Sequence, residues 1–314
     1  KAAEAAIAID ERDARAWYFR AAARSELGRR KEAIEDYRKA IERSTVFPEA
    51  YQALGVLYRD EGKLPAAHEY LSHAIEQRPD YPLAYVTRGD VAERLGRLED
   101  AVADYGHAIR LSPASPEAYF LRGKVLVAAG RLDEAIDDLS ACLRRAPDEA
   151  EVLFWRGKAY RAQSRLDRAL VDLDEAVKQD PRNVDAYLER GRTQNDRRKY
   201  DAAINDLSVA ISLAPDRAEA YVERGVANIG LGRHPEAVAD LTKALAIAPK
   251  DTRALALRSR ARLESGDAED ALSDAEAGLK IDAKSVPLRL ARAAALEELE
   301  ALDDAIAEYR KAAD

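Results

Sequence analysis

Residues 82–115 read PLAYVTRGDVAERLGRLEDAVADYGHAIRLSPAS, and this stretch contains two helical patterns separated by a short interruption. Small and apolar side chains over residues 85–92 recur at the three- to four-residue spacing of one helix face. Gly96 then interrupts the pattern, and glycine is common just after the end of a helix. A second apolar stripe covers residues 98–109, and Pro113 follows where a helix is not continued. The stretch therefore predicts two consecutive helices joined by a short turn.

The same pattern recurs every 34 residues along the chain. An alanine occupies one position of nine successive cycles, and a proline occupies another position of six cycles. The alanines are Ala33, Ala67, Ala101, Ala135, Ala169, Ala203, Ala237, Ala271 and Ala305, and the prolines are Pro79, Pro113, Pro147, Pro181, Pro215 and Pro249. A fixed period of this length is typical of arrays in which each helix pair stacks on the next.

The composition of the 314-residue chain excludes several other classes of protein. A single cysteine rules out an internal disulfide framework and a cysteine-rich zinc site. The 50 basic and 58 acidic residues leave a net charge of −8, which argues against binding to a phosphate backbone. The sequence has no run of about 18 apolar residues, so we expect no insertion into a membrane. Abundant alanine and charged residues, with few aromatics, favour helices.

The repeat resembles the tetratricopeptide repeat. One cycle shows that family's spaced aromatic, small and proline positions as Tyr119, Gly123, Gly130, Ala135, Leu139, Cys142 and Pro147. The resemblance covers residues 14–314 as nine units that start at residues 14, 48, 82, 116, 150, 184, 218, 252 and 286. It implies that residues 1–13 are the second helix of a truncated repeat. It also implies an all-α fold, in which antiparallel helix pairs form one continuous right-handed superhelical solenoid.

The seventh position of each unit is unusual, because it carries an arginine where the family usually has an apolar residue. A carboxylate follows sixteen positions later, and the second unit, with Leu54 and Tyr70, lacks both charges together. We therefore predict structural ion pairs between the two helices of the other units: Arg20–Asp36, Arg88–Asp104, Arg122–Asp138, Arg156–Asp172, Arg190–Asp206, Arg224–Asp240, Arg258–Asp274 and Arg292–Glu308. The alternative is a charge ladder for a ligand, but such a ladder would not lose both members at once.

The sequence contains no arrangement of residues typical of an enzyme, a cofactor site or a metal site. Cys142 stands where neighbouring units have alanine, and we interpret it as a small buried side chain. His68 replaces an aliphatic residue and is interpreted as a core histidine, with a ligand role as the alternative. His73 and His107 lack a second metal ligand three or four residues away. We therefore predict that the chain is not an enzyme and has no catalytic residues, no cofactors and no metal.

The resemblance further implies that positions 2, 5, 6, 9, 12 and 13 of each unit line a concave groove. Aromatic residues without a place in the repeat's own packing cluster at such positions in units four and five. With their apolar and basic neighbours, the predicted peptide-binding residues are Phe120, Leu121, Lys124, Val127, Phe154, Trp155, Lys158 and Arg161. In one alternative, Trp155 merely compensates for Leu153 in the aromatic position. Two further aromatics, Tyr18 and Phe19, would have been covered by an upstream helix.

The charged groove positions of units six and seven are expected to be solvated. They include Asp185, Glu189, Arg192, Asn195, Asp196, Glu219 and Glu223.

These features predict a protein-interaction scaffold that binds an extended or helical peptide segment of a partner in its groove. The alternative is a regulatory or targeting arm of a larger multidomain enzyme, such as a glycosyltransferase or a signalling protein. An RNA-binding helical repeat is less favoured because of the negative net charge. Uncapped ends of the array would also allow self-association through exposed apolar faces. We thus expect a protein or peptide partner, with no nucleic acid and no membrane insertion.

Overall fold

The structure, a computed structural model, describes residues 2–313. These residues form nineteen α-helices and no β-strand, so the predicted all-α class is confirmed. After α1 (Ala2–Ile9), first and second helices of successive pairs alternate. The first helices are α2 (Ala14–Glu26), α4 (Pro48–Asp60), α6 (Pro82–Arg94), α8 (Pro116–Ala128), α10 (Ala150–Ala162), α12 (Val184–Asp196), α14 (Ala218–Gly230), α16 (Thr252–Leu263) and α18 (Val286–Glu298). The second helices are α3 (Arg30–Arg43), α5 (Leu64–Gln77), α7 (Leu98–Leu111), α9 (Leu132–Leu143), α11 (Leu166–Gln179), α13 (Tyr200–Leu213), α15 (His234–Ile247), α17 (Ala268–Ile281) and α19 (Leu302–Ala313).

The first helices begin at residues whose chemistry suits a helix start. Pro82 and Pro116 are the first residues of their helices, where a fixed φ angle is favourable and no N–H partner is lost. Elsewhere a side chain caps the helix, as when Asn183 accepts a hydrogen bond from the Ala186 backbone N–H. Signals of this kind occur at the starts of most first helices, in step with the 34-residue period.

Contacts divide the chain into two compact units, Lys1–Ala159 and Tyr160–Asp314. Within each unit, a helix packs mainly on the helices before and after it along the chain. First helices also contact the next first helix, as α4 contacts α6 in one unit and α16 contacts α18 in the other. Each unit is therefore a stack of helix pairs in which neighbouring first helices lie side by side.

The turn inside each pair places one residue in the left-handed region of backbone conformation. Six glycines occupy this position at φ between +70° and +87°: Gly28, Gly62, Gly96, Gly130, Gly232 and Gly266. Ser164, Arg198 and Glu300 occupy it in three other turns, at φ of +58° to +59°. A residue with a Cβ atom is strained there by about 1–2 kcal/mol, so glycine is the residue that fits this turn best.

The two helices of a pair approach closely because one carries glycine where the other carries a large side chain. A Cβ atom added at Gly123 would lie 2.8 Å from Leu139 Cγ, and one added at Gly191 would lie 2.7 Å from Leu207 Cγ. Both leucines are fully buried, and so is Ala135, whose carbonyl oxygen lies close to Gly123. The small residues of the repeat are thus steric requirements of the contact between the helices.

Enlarging Ala135 to leucine is expected to destabilise the protein. Because Ala135 is fully buried, the added methyl groups would force α8 and α9 apart, at a cost of about 1–3 kcal/mol in the free energy of unfolding. Urea denaturation followed by circular dichroism measures this change. Ala128→Leu, at an exposed position at the end of α8, is the control and should stay within about 0.5 kcal/mol of the parent. Equal losses in the two variants would contradict the packing argument.

Replacing Arg198 with glycine is expected to stabilise the protein by about 1 kcal/mol, because it removes the strain of a left-handed residue that carries a Cβ atom. Thermal and urea unfolding both report the gain. The control is Arg197→Gly, one residue earlier, where φ is −82° and no such strain exists. That variant should lose stability. The explanation fails if the Arg198 variant is no more stable than the parent.

Candidate functional site

An arginine in the first helix of most pairs contacts a buried carboxylate in the second helix. Arg88 donates from Nε to Asp104 Oδ2 at 2.8 Å and from Nη2 to Asp104 Oδ1 at 2.7 Å. The structure brings together seven of the predicted pairs at N–O distances of 2.5–2.9 Å, namely Arg20–Asp36, Arg88–Asp104, Arg122–Asp138, Arg190–Asp206, Arg224–Asp240, Arg258–Asp274 and Arg292–Glu308. The remaining predicted ion pair, Arg156–Asp172, has its two residues in different units and stays a prediction.

Most of these arginines also contact the preceding helix pair, which the sequence pattern alone does not indicate. Arg88 Nη1 donates to Ser72 Oγ at 3.1 Å, and Arg224 Nη1 donates to Ser208 Oγ at 3.0 Å. Equivalent contacts join Arg156 to Ser140, Arg190 to Asp174, Arg258 to Thr242 and Arg292 to Glu276. Each acceptor lies sixteen residues before its arginine, in the second helix of the preceding pair. In Arg88, Arg190, Arg224, Arg258 and Arg292, one guanidinium group thus links three helices and holds one pair against the next.

The second pair lacks this arginine and is held by apolar and aromatic contacts instead. Leu54 is fully buried at the arginine's position, and Tyr70 stacks on Tyr58 with ring centroids 5.2 Å apart. His68 is half-buried, and burial together with the nearby charge of Arg88 lowers its pKa below the ordinary value. His68 is thus a packed side chain that is uncharged at neutral pH.

The cysteine and histidine side chains that could act in catalysis or bind a metal do not lie together in one site. Cys142 is buried, and burial raises the pKa of its thiol. His73 lies 3.0 Å from Glu76 and has no further acidic neighbour in an ion pair. No three His, Cys, Asp or Glu side chains in the described part of the chain are grouped so that they could hold a metal ion. Across the same residues, every helix is too short or too polar to cross a membrane.

Seven of the eight residues predicted for peptide binding lie on α8 and α10 of the first unit, and we refer to these seven as the aromatic patch. They are Phe120, Leu121, Lys124, Val127, Phe154, Trp155 and Lys158, and all are half-buried. Phe154 and Trp155 meet edge to face with ring centroids 5.4 Å apart. Phe120, Val127 and Trp155 pack against a buried cluster that includes Leu139 and Cys142. The aromatic patch is therefore partly a packing cluster.

The basic side chains of the predicted set already have partners. Lys124 Nζ lies 3.2 Å from Glu93 Oε1, and Lys158 Nζ lies 4.7 Å from the centroid of the Trp155 ring. Arg161, the eighth predicted residue, belongs to the second unit, where it pairs with two carboxylates. These cations are thus less available to an acidic ligand than the sequence indicated.

A row of ion pairs covers the first helices α12 and α14 in the second unit. In this ion-pair row, Arg161 contacts Asp196 and Glu189, Arg192 contacts Glu189 and Glu223, and Arg253 contacts Glu223. Glu189 is 2% exposed and Glu223 is 6% exposed. Burial by itself raises the pKa of Glu223, but Arg253 and Arg192 outweigh it and lower that pKa below the ordinary value. Both carboxylates are thus buried and fully paired.

The expectation that these groove positions are solvated is wrong for three of them. Glu189 and Glu223 are covered by arginines from neighbouring helices, and Asn195 donates from Nδ2 to the Glu223 carbonyl oxygen at 2.9 Å. The periodic pattern shows which helix face a side chain occupies, but it does not show which long side chain from the next helix folds over it.

Beyond Arg253, the surface changes from charged to apolar and opens into a cleft between α16 and α18, which we call the α16–α18 cleft. It encloses about 530 Å³, within the range of about 300–1,000 Å³ that is usual for ligand sites. Its lining is mostly apolar, with Ala256, Leu257, Leu263, Pro287, Leu290, Ala291 and Ala294, and its charged residues are Arg253, Arg260 and Glu264. Leu290 is 45% exposed.

The sequence does carry a signal for this cleft. Its charged and apolar lining residues occupy positions 2, 5, 6, 9, 12 and 13 of the α16 unit and positions 2, 5, 6 and 9 of the α18 unit. A search for aromatic residues at groove positions misses it, because the apolar side chains here are leucines and alanines. Apolar residues of any size at those positions mark the cleft, and they mark α8 as well, with Phe120, Leu121, Val127 and Ala128.

Tyr18 and Phe19 line another cavity, of about 600 Å³, at the beginning of the first unit. The Tyr18 ring packs against Tyr37 and Phe47, with centroids 5.5 and 5.1 Å away. Phe19 is 60% exposed. Tyr18 therefore has a packing role, whereas Phe19 projects from the surface.

Three family models described as tetratricopeptide repeat match the chain. One matches residues 52–116, 86–150, 120–184 and 156–207, the second matches residues 197–262, and the third matches residues 14–45. Together these matches cover most of the chain. No curated protein matches it.

Several solved structures are similar to the chain. YrrB, described as a TPR protein with an unusual peptide-binding site, is 24% identical with a TM-score of 0.50, and the match covers 60% of this chain and 97% of YrrB. A tetratricopeptide repeat protein from Parabacteroides merdae is 22% identical with a TM-score of 0.63, over 79% of this chain and 98% of that one. A chain of the APC/C hetero-tetramer Cut9–Hcn1 is 14% identical with a TM-score of 0.65, over 85% of this chain and 52% of that one. At these identities the similarity shows a shared fold.

The Arg122–Asp138 pair provides a test of the structural role of the arginines. Arg122→Leu alone leaves the buried Asp138 carboxylate without its main partner and is expected to cost about 2 kcal/mol or more. The double variant Arg122→Leu, Asp138→Tyr copies the combination found naturally at Leu54 and Tyr70, and it should recover much of that loss. Urea unfolding of the two single variants and the double variant completes the cycle. Additive losses would contradict the pairing.

Proposed function

The chain belongs to the tetratricopeptide repeat family, and we propose that it is a non-catalytic scaffold that binds an extended or helical segment of a partner protein on its first helices. Repeats of this family indicate a protein-interaction scaffold and are generally non-catalytic. The 34-residue interval between helix starts also supports a division into nine repeats, preceded by a truncated one at residues 1–13.

The observation that carries the proposal is the α16–α18 cleft. Apolar side chains at groove positions stay accessible there, whereas the corresponding surface of α12 and α14 is covered by the ion-pair row. An apolar cleft rimmed by charged residues is typical of a binding site. Because packed neighbouring pairs hold its lining in place, the scaffold would lose little conformational freedom when a ligand binds.

The aromatic patch is a second contact in this proposal. Phe154 and Trp155 are rigid side chains with accessible ring surface, and rings of this kind often dominate the energy of an interface. Trp155 packs on the cluster around Leu139, and Phe154 contacts Trp155 edge to face, so both rings would be held in position for a partner. The description of YrrB as a protein with a peptide-binding site supports peptide recognition on this fold.

A capture experiment tests the proposal. The full chain is immobilised beside a triple variant of the aromatic patch, Phe154→Ala, Trp155→Ala, Lys158→Glu, and bound proteins from an extract of the source organism are identified by mass spectrometry. We expect at least one protein that binds the parent and is lost from the variant, because the variant removes both rings and reverses a charge.

The control is the variant Asp137→Ala, Arg144→Glu, which changes exposed positions in and just after α9. It should retain every bound protein. Identical protein sets for the parent and the triple variant would remove the aromatic patch from the binding surface. Capture of no protein by the parent would overturn the scaffold function itself.

A further inference from the structure

The two ends of the α16–α18 cleft differ in charge. Arg253 and Arg260 lie on α16 seven residues apart, which is about two turns or roughly 10 Å along the helix axis. Glu264 directly follows α16 at the other end of the cleft and, among residues 2–313, is the only carboxylate in its lining. A bound segment would therefore meet positive charge along most of α16 and negative charge only where that helix ends.

Arg260 is available to a ligand. Its side chain is exposed, and its guanidinium group has no hydrogen-bond or ion-pair partner among residues 2–313. This distinguishes Arg260 from the arginines of the ion-pair row and from linking arginines such as Arg224 and Arg258, which contact carboxylates. An unpaired arginine beside an apolar floor favours a carboxylate ligand, since the guanidinium group binds both carboxylate oxygens with good geometry.

Arg253 is partly accessible to a ligand, and its pairing with Glu223 fixes the position of its guanidinium group. Its Nη1 and Nη2 atoms lie 2.8 and 3.4 Å from the two carboxylate oxygens of Glu223, and its side chain is still 56% exposed. Glu223 is itself buried and shared with Arg192, so it anchors the guanidinium group at the mouth of the cleft. A ligand carboxylate near Arg253 would join an ion-pair network that already exists.

We infer that the α16–α18 cleft binds an acidic–apolar peptide segment of a partner protein, whose apolar side chains enter between Leu257, Leu263 and Leu290 and whose carboxylate pairs with Arg260. This inference rests on the proposed scaffold function and adds the chemistry of the partner. The apolar floor supplies the larger part of the affinity, and Arg260 selects for acidic segments and sets their direction along α16.

The lining favours a protein segment over a nucleic acid. Phosphate groups require a run of unpaired cations, and in the described part of the chain the cleft has just one further cation beside Arg260, namely Arg253, which is already paired with Glu223. The floor would also desolvate phosphates without providing hydrogen bonds. A peptide that carries leucine-like side chains next to Asp or Glu satisfies both the floor and the arginine.

Selection from a random library tests this inference without a known partner. The full chain is immobilised, and 12-residue peptides displayed on phage are selected for binding. We expect the enriched sequences to place Asp or Glu within a few residues of two apolar side chains. An enriched peptide is then synthesised with a fluorescein label, and its dissociation constant for the full chain is measured by fluorescence polarisation.

Two variants remove the two proposed contacts. Leu290→Glu places a charge on the apolar floor, and Arg260→Glu reverses the selecting charge. Each is expected to weaken binding of the enriched peptide about tenfold or more. Leu302→Glu and Arg310→Glu are matched controls, because both residues are exposed on α19 and do not line the cleft. These controls should leave the dissociation constant unchanged, and circular dichroism verifies the fold of all four variants.

The outcomes separate this inference from the proposed function. Enriched peptides without acidic residues, or peptides that bind equally well to the Leu290 and Arg260 variants, overturn the cleft assignment and leave the scaffold function standing. A labelled twelve-nucleotide single-stranded DNA probe that binds more tightly than the peptide, and is weakened by Arg260→Glu, overturns the choice of a protein segment. If no peptide is enriched, the inference fails, and protein capture by the parent chain still decides the scaffold function.

Discussion

In most repeats, an arginine paired with a buried carboxylate joins the two helices, and in several of them the same guanidinium group also reaches the preceding pair. In the third pair, Arg88 donates two hydrogen bonds to the buried Asp104 carboxylate and a third to Ser72 in the preceding pair. A carboxylate in that position cannot stay charged and buried without its partner, and the planar guanidinium group matches its two oxygens. This explains why the second repeat, with Leu54 and Tyr70, has lost both charges together.

The small residues of the repeat complete this constraint. Gly123 allows Leu139 to fill the space between two helices, and the left-handed turn residue allows the second helix to fold back on the first. Once the arginine, the glycine and the turn are in place, the spacing between neighbouring first helices is set by packing. The groove positions of the first helices do not take part in this packing, so their residues can differ from repeat to repeat.

The second unit shows how different those free positions become. Over α12 and α14 they form a row of buried carboxylates covered by arginines, and over α16 and α18 they form an apolar cleft with an unpaired arginine at its side. Glu223 connects the two surfaces, because it belongs to the ion-pair row and also positions Arg253 at the mouth of the cleft. The second unit therefore has a polar surface whose carboxylates are all paired, the ion-pair row, next to an accessible apolar surface, the α16–α18 cleft.

Most of the fold could be predicted from the sequence because its determinants are local and periodic. The alanine and glycine positions, the prolines after the second helices and the matched arginine and carboxylate recur at one interval in most repeats, and each of them acts on the same or an adjacent helix. The candidate site is harder to predict, because Trp155 and Phe120 at groove positions partly serve the packing of their own repeat, whereas leucines and alanines line the open cleft.

The helix pairs, their period and the ion pair inside most repeats follow from residue type and spacing along the chain, so they can be predicted from the sequence. Which groove positions stay open depends on how side chains of neighbouring helices pack. Arg161 covers Glu189, whereas Arg260 has no partner among residues 2–313. The difference depends on the position that a long side chain from a neighbouring helix adopts. The packing of helices distant in sequence sets this side-chain position, so the spacing of residues along the chain does not predict it.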